Sequence, residues 1–327
     1  MDFKPLQPLF YASISFLLTI LAVGLLHKRS RIIALVPIWA FNILALTSLH
    51  QPRWPGGAHV LATALIIHLG LSVKVLALEE HAANPEVSKR PWSFVDCYRT
   101  CANPRVLPVR LTHLDDATAM WLWVVNQFVV VRLFSVFPEQ AADNFPSEME
   151  LLPLWAIFQP FLRQSIHCLL SIIFVSILGF DQAKDWPPPF GSILEADTVR
   201  GFWGRFWHKF PTPIYAFYGL IISRKLMGLK PSSRVEKTFL PMFIFTASAF
   251  CHCLVGWSLG NAGPSQSLPF YLPFYEINFL VVALEIAISK GIISSRWFPP
   301  LPSALRKGVG MMWVYVWFFC CSEMGLC

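Results

Sequence analysis

Apolar residues in this chain come in runs too long for the interior of a small soluble domain. They occupy about 8–26, 32–49, 58–78, 118–137, 151–180, 238–259, 269–289 and 309–327. A helix needs about 18 to 20 apolar residues to cross a hydrocarbon core of about 30 Å, and several runs reach that length. In lipid every backbone N–H and C=O must be satisfied within the segment, so such runs fold as helices. The expected fold class is all-α: a multi-pass transmembrane helix bundle of about eight spans. Composition agrees, with 55% hydrophobic and 14% charged residues, where soluble domains carry about a quarter charged. With no internal repeat and no soluble stretch, residues 1–327 read as a single integral membrane domain. The first run is too long and too weakly cleavable for a signal peptide and is expected to be retained.

Charge orients the bundle. Lys28, Arg29 and Arg31 follow the first run, and Lys89, Arg90, Arg99, Arg105 and Arg110 follow the third. The loop at 138–150 holds Glu139, Asp143, Glu148 and Glu150 with no Lys or Arg, and 260–268 holds no charge. Basic and non-basic loops alternate, which places 27–31, 79–117, 181–212 and 224–237 on the cytosolic side and the N-terminus opposite. The short run 213–222 has basic residues on both sides and is expected to be re-entrant or interfacial. The net charge of +7 is explained by an anionic cytosolic leaflet, so no nucleic-acid partner is expected. The lipid bilayer is the expected surrounding.

Few of the polar residues suggest chemistry. Cys251-His252-Cys253 has the composition of a metal cluster. On a helix, however, successive side chains point about 100° apart and do not close on one ion, so no metal site is expected. Asp115-Asp116 lacks a third carboxylate one turn on and reads as a helix start. Glu276 and Glu285, nine residues apart, fall on opposite sides of one helix. Two features stand out. The stretch RGFWGRFWHKF at 200–210, read as a regular helix, puts Phe202, Trp203, Phe206, Trp207 and Phe210 on one side and Arg200, Gly204, Arg205, His208 and Lys209 on the other. An amphipathic helix of this kind fits the membrane interface. The second feature is His252, fourteen positions after Thr238, hence roughly 21 Å into its helix. A histidine at that depth faces a polar partner or a cavity. Ser248, Ala249 and Gly256 share its stripe, and such small residues leave room for a substrate or another helix.

DWPPPFGSILEADTVRGFWGRFWHKF, followed about forty residues later by FTASAFCHCLVGW, resembles the wax synthase-like branch of the membrane-bound O-acyltransferases. Asp185, Pro188, Pro189, Phe190 and Gly191 match one family motif. Phe202, Trp203, Gly204, Arg205, Trp207 and His208 match a second, and Ser248 with His252 matches a third. The resemblance covers 145–290, departs at Gly201, Phe206 and Ala249, and ends its second motif in His, as the fungal acetyltransferase branch does. It implies acyl transfer, acetyl being the expected group, from acyl-CoA to the hydroxyl of a lipophilic alcohol such as a terpenoid or meroterpenoid. Acyl-CoA (acetyl-CoA) is then a co-substrate, with no bound cofactor, and the endoplasmic reticulum is the expected location. His252 and His208 are implied as catalytic. Arg205, Trp203, Trp207, Lys209, Ser248 and Asp185 are implied as substrate-binding. Such a reaction needs a base for the hydroxyl proton, a donor for the developing oxyanion, and exclusion of water. From the residues alone two other readings stay open. One is a membrane terpene cyclase with a carboxylate acid and an aromatic-lined pocket; the other is a transporter or scaffold in which His252 packs or relays.

Overall fold

Helices account for the regular structure, and no strand occurs among the described residues. A computed structural model describes residues 6–24, 28–50, 55–78, 98, 163–207, 210–259, 264–291 and 302–323. The helices are α1 (Gln7–Val23), α2 (Lys28–Thr47), α3 (Pro55–Val73) and α4 (Arg163–Ile177). They are followed by α5 (Val199–Gly201), α6 (Thr212–Ile221), α7 (Arg234–Ser258), α8 (Pro264–Gly291) and α9 (Ser303–Glu323). Four segments have the length and hydropathy to cross a membrane: Arg29–Thr47, Ala58–Leu76, Arg234–Ser258 and Ser265–Ser289. Gln7–Val23 and Arg163–Ile177 are apolar but shorter. The expected run at 118–137 lies outside the described residues. The fold class is therefore helical with at least these four candidate spans, half the number expected from the apolar runs.

Local chemistry accounts for where the helices begin. Pro8 stands in the first turn of α1, where its missing N–H is no loss. The Ser233 side chain accepts from the Glu236 N–H and starts α7. Just before it the chain turns through Ser232 at φ 60° and Gly228 at φ 66°. Glu236 holds that turn, accepting from Arg224 Nε at 2.6 Å and from the backbone N–H of Ser232. This pairing pushes the Arg224 guanidinium above its usual value. The short run 213–222 does form a short helix, α6, which widens into a π-turn over Ile222–Leu226.

The chain divides into two compact units, each built from separate stretches: Met1–Val106 with Pro211–Phe279, and Leu107–Phe210 with Leu280–Cys327. In the first, the buried core joins α2 and the turn that follows it (Ser48–His50) to α3 and α7 through Ala45, Leu49, Ala62, Leu65, Cys251 and Val255. A polar seam ties α1 to α3. Thr19 Oγ1 donates to Ser15 C=O at 2.9 Å and contacts His68 Nε2 at 3.2 Å, while Asn42 Nδ2 lies 2.8 Å from His68 Nδ1. Both ring nitrogens of His68 thus meet a polar partner, one from α1 and one from α2. Between spans, such bonds supply attraction that apolar packing in lipid lacks. Tyr218 donates to Gly70 C=O at 2.7 Å and fixes α6 on α3.

Candidate active site

His252 belongs to the first unit. Its half-buried ring sits 5.4 Å from Tyr275, 5.7 Å from Tyr271 and 6.2 Å from His59, centroid to centroid. The site therefore draws on three helices: α7 for His252, α8 for the two tyrosines and α3 for the second histidine. On the same stripe of α7, Ala249 and Gly256 are buried, so their small size brings neighbouring elements close. The Ser248 hydroxyl donates to Ile244 C=O at 2.8 Å, within its own helix. Glu276, on α8, pairs with the Thr246 hydroxyl. An apolar cavity of about 320 Å³ lies between α3, α6 and α7, lined by Ile66, Tyr215, Phe243, Ala247, Phe250 and Leu254 among others. At 100° per residue its α7 positions centre on the side opposite His252, so this cavity is not the one the histidine faces.

The aromatic motif belongs to the second unit, and its local structure differs from the regular helix expected. After the single turn of α5, Phe202–Phe206 forms a π-turn, closed by Trp207 N–H donating to Phe202 C=O at 2.7 Å. Trp207 is already extended, at φ −64° and ψ 153°. The helix thus stops four residues before Phe210, which is exposed. The other four aromatics do gather: Phe202 stacks on Trp207 at 5.3 Å, with Phe206 at 5.5 Å and Trp203 at 5.1 Å. Phe318 of α9 covers Phe202 at 4.5 Å and Trp203 at 6.0 Å. The aromatic face is therefore largely occupied by protein.

Two close approaches fix the motif's surroundings. Gly191 N–H donates to Phe206 C=O at 2.9 Å, and a Cβ at Gly191 would stand 2.1 Å from the Arg205 carbonyl oxygen. On α9, a Cβ at Gly310 would stand 2.2 Å from the Asp197 carbonyl oxygen. Gly204, by contrast, has open space around it. Arg205 donates to Asp197 at 2.9 Å, both side chains remaining partly exposed at 52% and 26%. Asp185 accepts from the Gln182 N–H at 2.9 Å and caps a short turn. The neighbouring Asp181 takes the Trp186 indole N–H at 2.9 Å, and Trp186 lies 5.9 Å from Phe174 and 5.1 Å from His167.

Of the residues singled out in sequence, His252 and Ser248 lie in the first unit, and Asp185, Trp203, Arg205 and Trp207 in the second. His208 and Lys209 lie outside the described residues. Sequence reading missed His59, Tyr271 and Tyr275, since nothing in their local pattern marks them as partners of a helix so far along the chain. Among the described residues no group of three or more His, Cys, Asp or Glu side chains is arranged to hold a metal ion.

The sequence model of the membrane bound O-acyl transferase family matches residues 186–274. The chain is 34% identical over 164 residues to acetyltransferase TRI7 of Fusarium sporotrichioides, covering 48% of this chain and 36% of that protein. It is 30% identical over 220 residues to acetyltransferase nanB of Aspergillus nanangensis, covering 61% and 51%. A third relative, acetyltransferase aurG of Calcarisporium arbuscula, is 28% identical over 159 residues, covering 48% and 37%. The matches thus span a third to a half of these relatives' own lengths. No solved structure is similar to the chain. Residues 186–274, which carry the Pro-Gly loop, the aromatic motif and His252, make the chain membrane-bound-O-acyltransferase-like.

Proposed function

We propose that this protein is a membrane O-acyltransferase that moves an acyl group, acetyl in the first instance, from acyl-CoA to the hydroxyl of a lipophilic alcohol. The observation that carries the reading is His252: an imidazole far along a candidate span, inside the family-matched segment, flanked by Tyr275, Tyr271 and His59. In this reading His252 accepts the hydroxyl proton as the alcohol oxygen attacks the thioester carbonyl, and passes it to the sulfur as the C–S bond breaks, so that CoA leaves as the thiol. General-base help of this kind is worth about 10²–10⁴-fold. In this reading the neighbouring rings would limit water, which otherwise competes as acceptor. His208 would orient the thioester or donate to its carbonyl oxygen. Arg205 and Lys209 would meet CoA phosphates, Trp203, Trp207 and Asp185 would shape the donor site, and Ser248 would line the approach to His252. The alcohol would reach the site from the bilayer. A terpenoid or meroterpenoid acceptor and an endoplasmic reticulum location belong to the same proposal.

Support for transfer over cyclisation or transport comes from the family match and from relatives named acetyltransferases. The test is incubation of membranes containing the protein with labelled acetyl-CoA, or a longer acyl-CoA, and a panel of lipophilic alcohols, read by mass spectrometry. Ester formation that needs His252 supports the proposal. Loss of thioester without ester, or product unchanged in His252→Ala, overturns it.

A further inference from the structure

We propose that Glu285 is a positioning residue for the aromatic motif. This rests on the reading of that motif as part of the donor site. In sequence Glu285 is one of two carboxylates, with Glu276, in the apolar run that forms α8. In the structure its two oxygens accept three hydrogen bonds. Oε1 takes the backbone N–H of Val199 at 2.9 Å and the indole N–H of Trp313 at 2.8 Å, and Oε2 takes the backbone N–H of Arg200 at 2.8 Å. One side chain of α8 therefore ties the first turn of the motif helix to α9. All the residues concerned lie within the second unit.

The arrangement does more than satisfy a half-buried acid. Val199 and Arg200 are the first residues of α5, whose opening N–H groups lack carbonyl partners within the helix. Thr198 satisfies one more, its hydroxyl accepting from Gly201 N–H at 2.8 Å. With the start of the helix held at two points by one rigid carboxylate, the direction in which it runs is set, and with it the placement of Trp203 and Arg205 one turn later. The α9 side that presents Trp313 also presents Gly310 and Phe318 to the same segment. Trp313 in turn orients the carboxylate. Bonds to an ionised acceptor are the stronger kind, and neither Ala nor Gln reproduces the set. Gln offers one acceptor oxygen and one NH₂, so in either orientation at least one of the three N–H groups meets another donor.

The test uses the full chain in lipid nanodiscs and compares wild type, Glu285→Gln, Glu285→Asp and Trp313→Phe. Hydrogen exchange over 199–206 is measured alongside donor and acceptor kinetics. In Glu285→Gln, exchange over 199–206 should rise by about tenfold while α7 is unchanged. The KM for acetyl-CoA should rise about fivefold or more, with kcat and the acceptor KM less affected. Glu285→Asp keeps the carboxylate and should recover part of both effects, and Trp313→Phe should show a weaker version of them. Unchanged exchange over 199–206 in Glu285→Gln overturns the proposal whatever the kinetics. Raised exchange with an unchanged donor KM in active enzyme reduces Glu285 to a structural brace and overturns it equally. A wild-type protein that transfers no acyl group refutes the acyltransferase reading, and with it the role in a donor site.

Discussion

A histidine far along an apolar helix has two very different uses, and substitution separates them. As a packing group in contact with Tyr271, Tyr275 and His59, His252 would be replaced in part by Gln, which keeps a hydrogen-bonding tip of similar reach. As a general base it would not, because an amide takes no proton at neutral pH. His252→Ala and His252→Gln should both lower kcat by about 10²–10⁴-fold at near-normal acetyl-CoA KM and protein level. A near-native rate in purified His252→Gln would remove the base from the mechanism. Arg205 poses the opposite question, since it already has a partner in Asp197. The pair is half exposed, and exposed pairs contribute about 0–1 kcal/mol. Arg205→Ala should therefore shift the thermal midpoint little while raising the acetyl-CoA KM about tenfold, the equivalent of about 1.4 kcal/mol. A drop in stability with an unchanged KM would make Arg205 a brace for Asp197 alone.

At the scale of the element, the sequence pattern was informative up to the point where backbone geometry took over. Apolar runs placed α1, α2, α3, α7 and α8 to within a few residues, because length and hydropathy alone decide whether a segment is helical in lipid. The run at 213–222 likewise became a short helix. The motif at 200–210 has the sequence pattern of 3.6 residues per turn, and that period breaks at a π-turn and an extended Trp207. The aromatics still cluster, since a π-turn brings residues five apart together, but Phe210 is left out. Contacts distant in sequence, such as Glu285 with Val199 or His59 with His252, leave no periodic trace and were not legible. Two glycines of this element make opposite predictions. Gly191→Ala would set a Cβ against the Arg205 carbonyl, and backbone on both sides must move, so a loss of about 1–3 kcal/mol is expected by thermal unfolding. Gly204→Ala meets nothing and should leave stability unchanged or raised by up to about 1 kcal/mol. If acetyl-CoA passes over the motif at that point, Gly204→Ala should still raise its KM. Equal melting losses in the two variants would refute this account of their packing.

For the molecule as a whole, the basic loops make a topological prediction that the helices alone do not. Cysteines introduced at Ser192 should resist an impermeant reagent added from the lumenal side, and those at Glu148 or Ser265 should react. Labelling of position 192 from that side would invert the map. The matched segment 186–274 is also not a folding unit. Its first part is seated by Gly310, Trp313, Phe318 and Glu285, beyond its end, and its last part packs on α2 and α3, before its start. A fragment limited to 186–274 should therefore be unstable in detergent, whereas the full chain should unfold cooperatively. The interleaving of the two units has a further consequence for recombination between relatives. An exchange at one breakpoint, for instance at 210, would pair an incoming motif with a resident α9 that was shaped for another sequence. Chimeras that carry 163–210 together with 280–323 from the same parent should express, and their reciprocals should too, while those that separate the two stretches should be lost at the level of folding before any question of substrate arises.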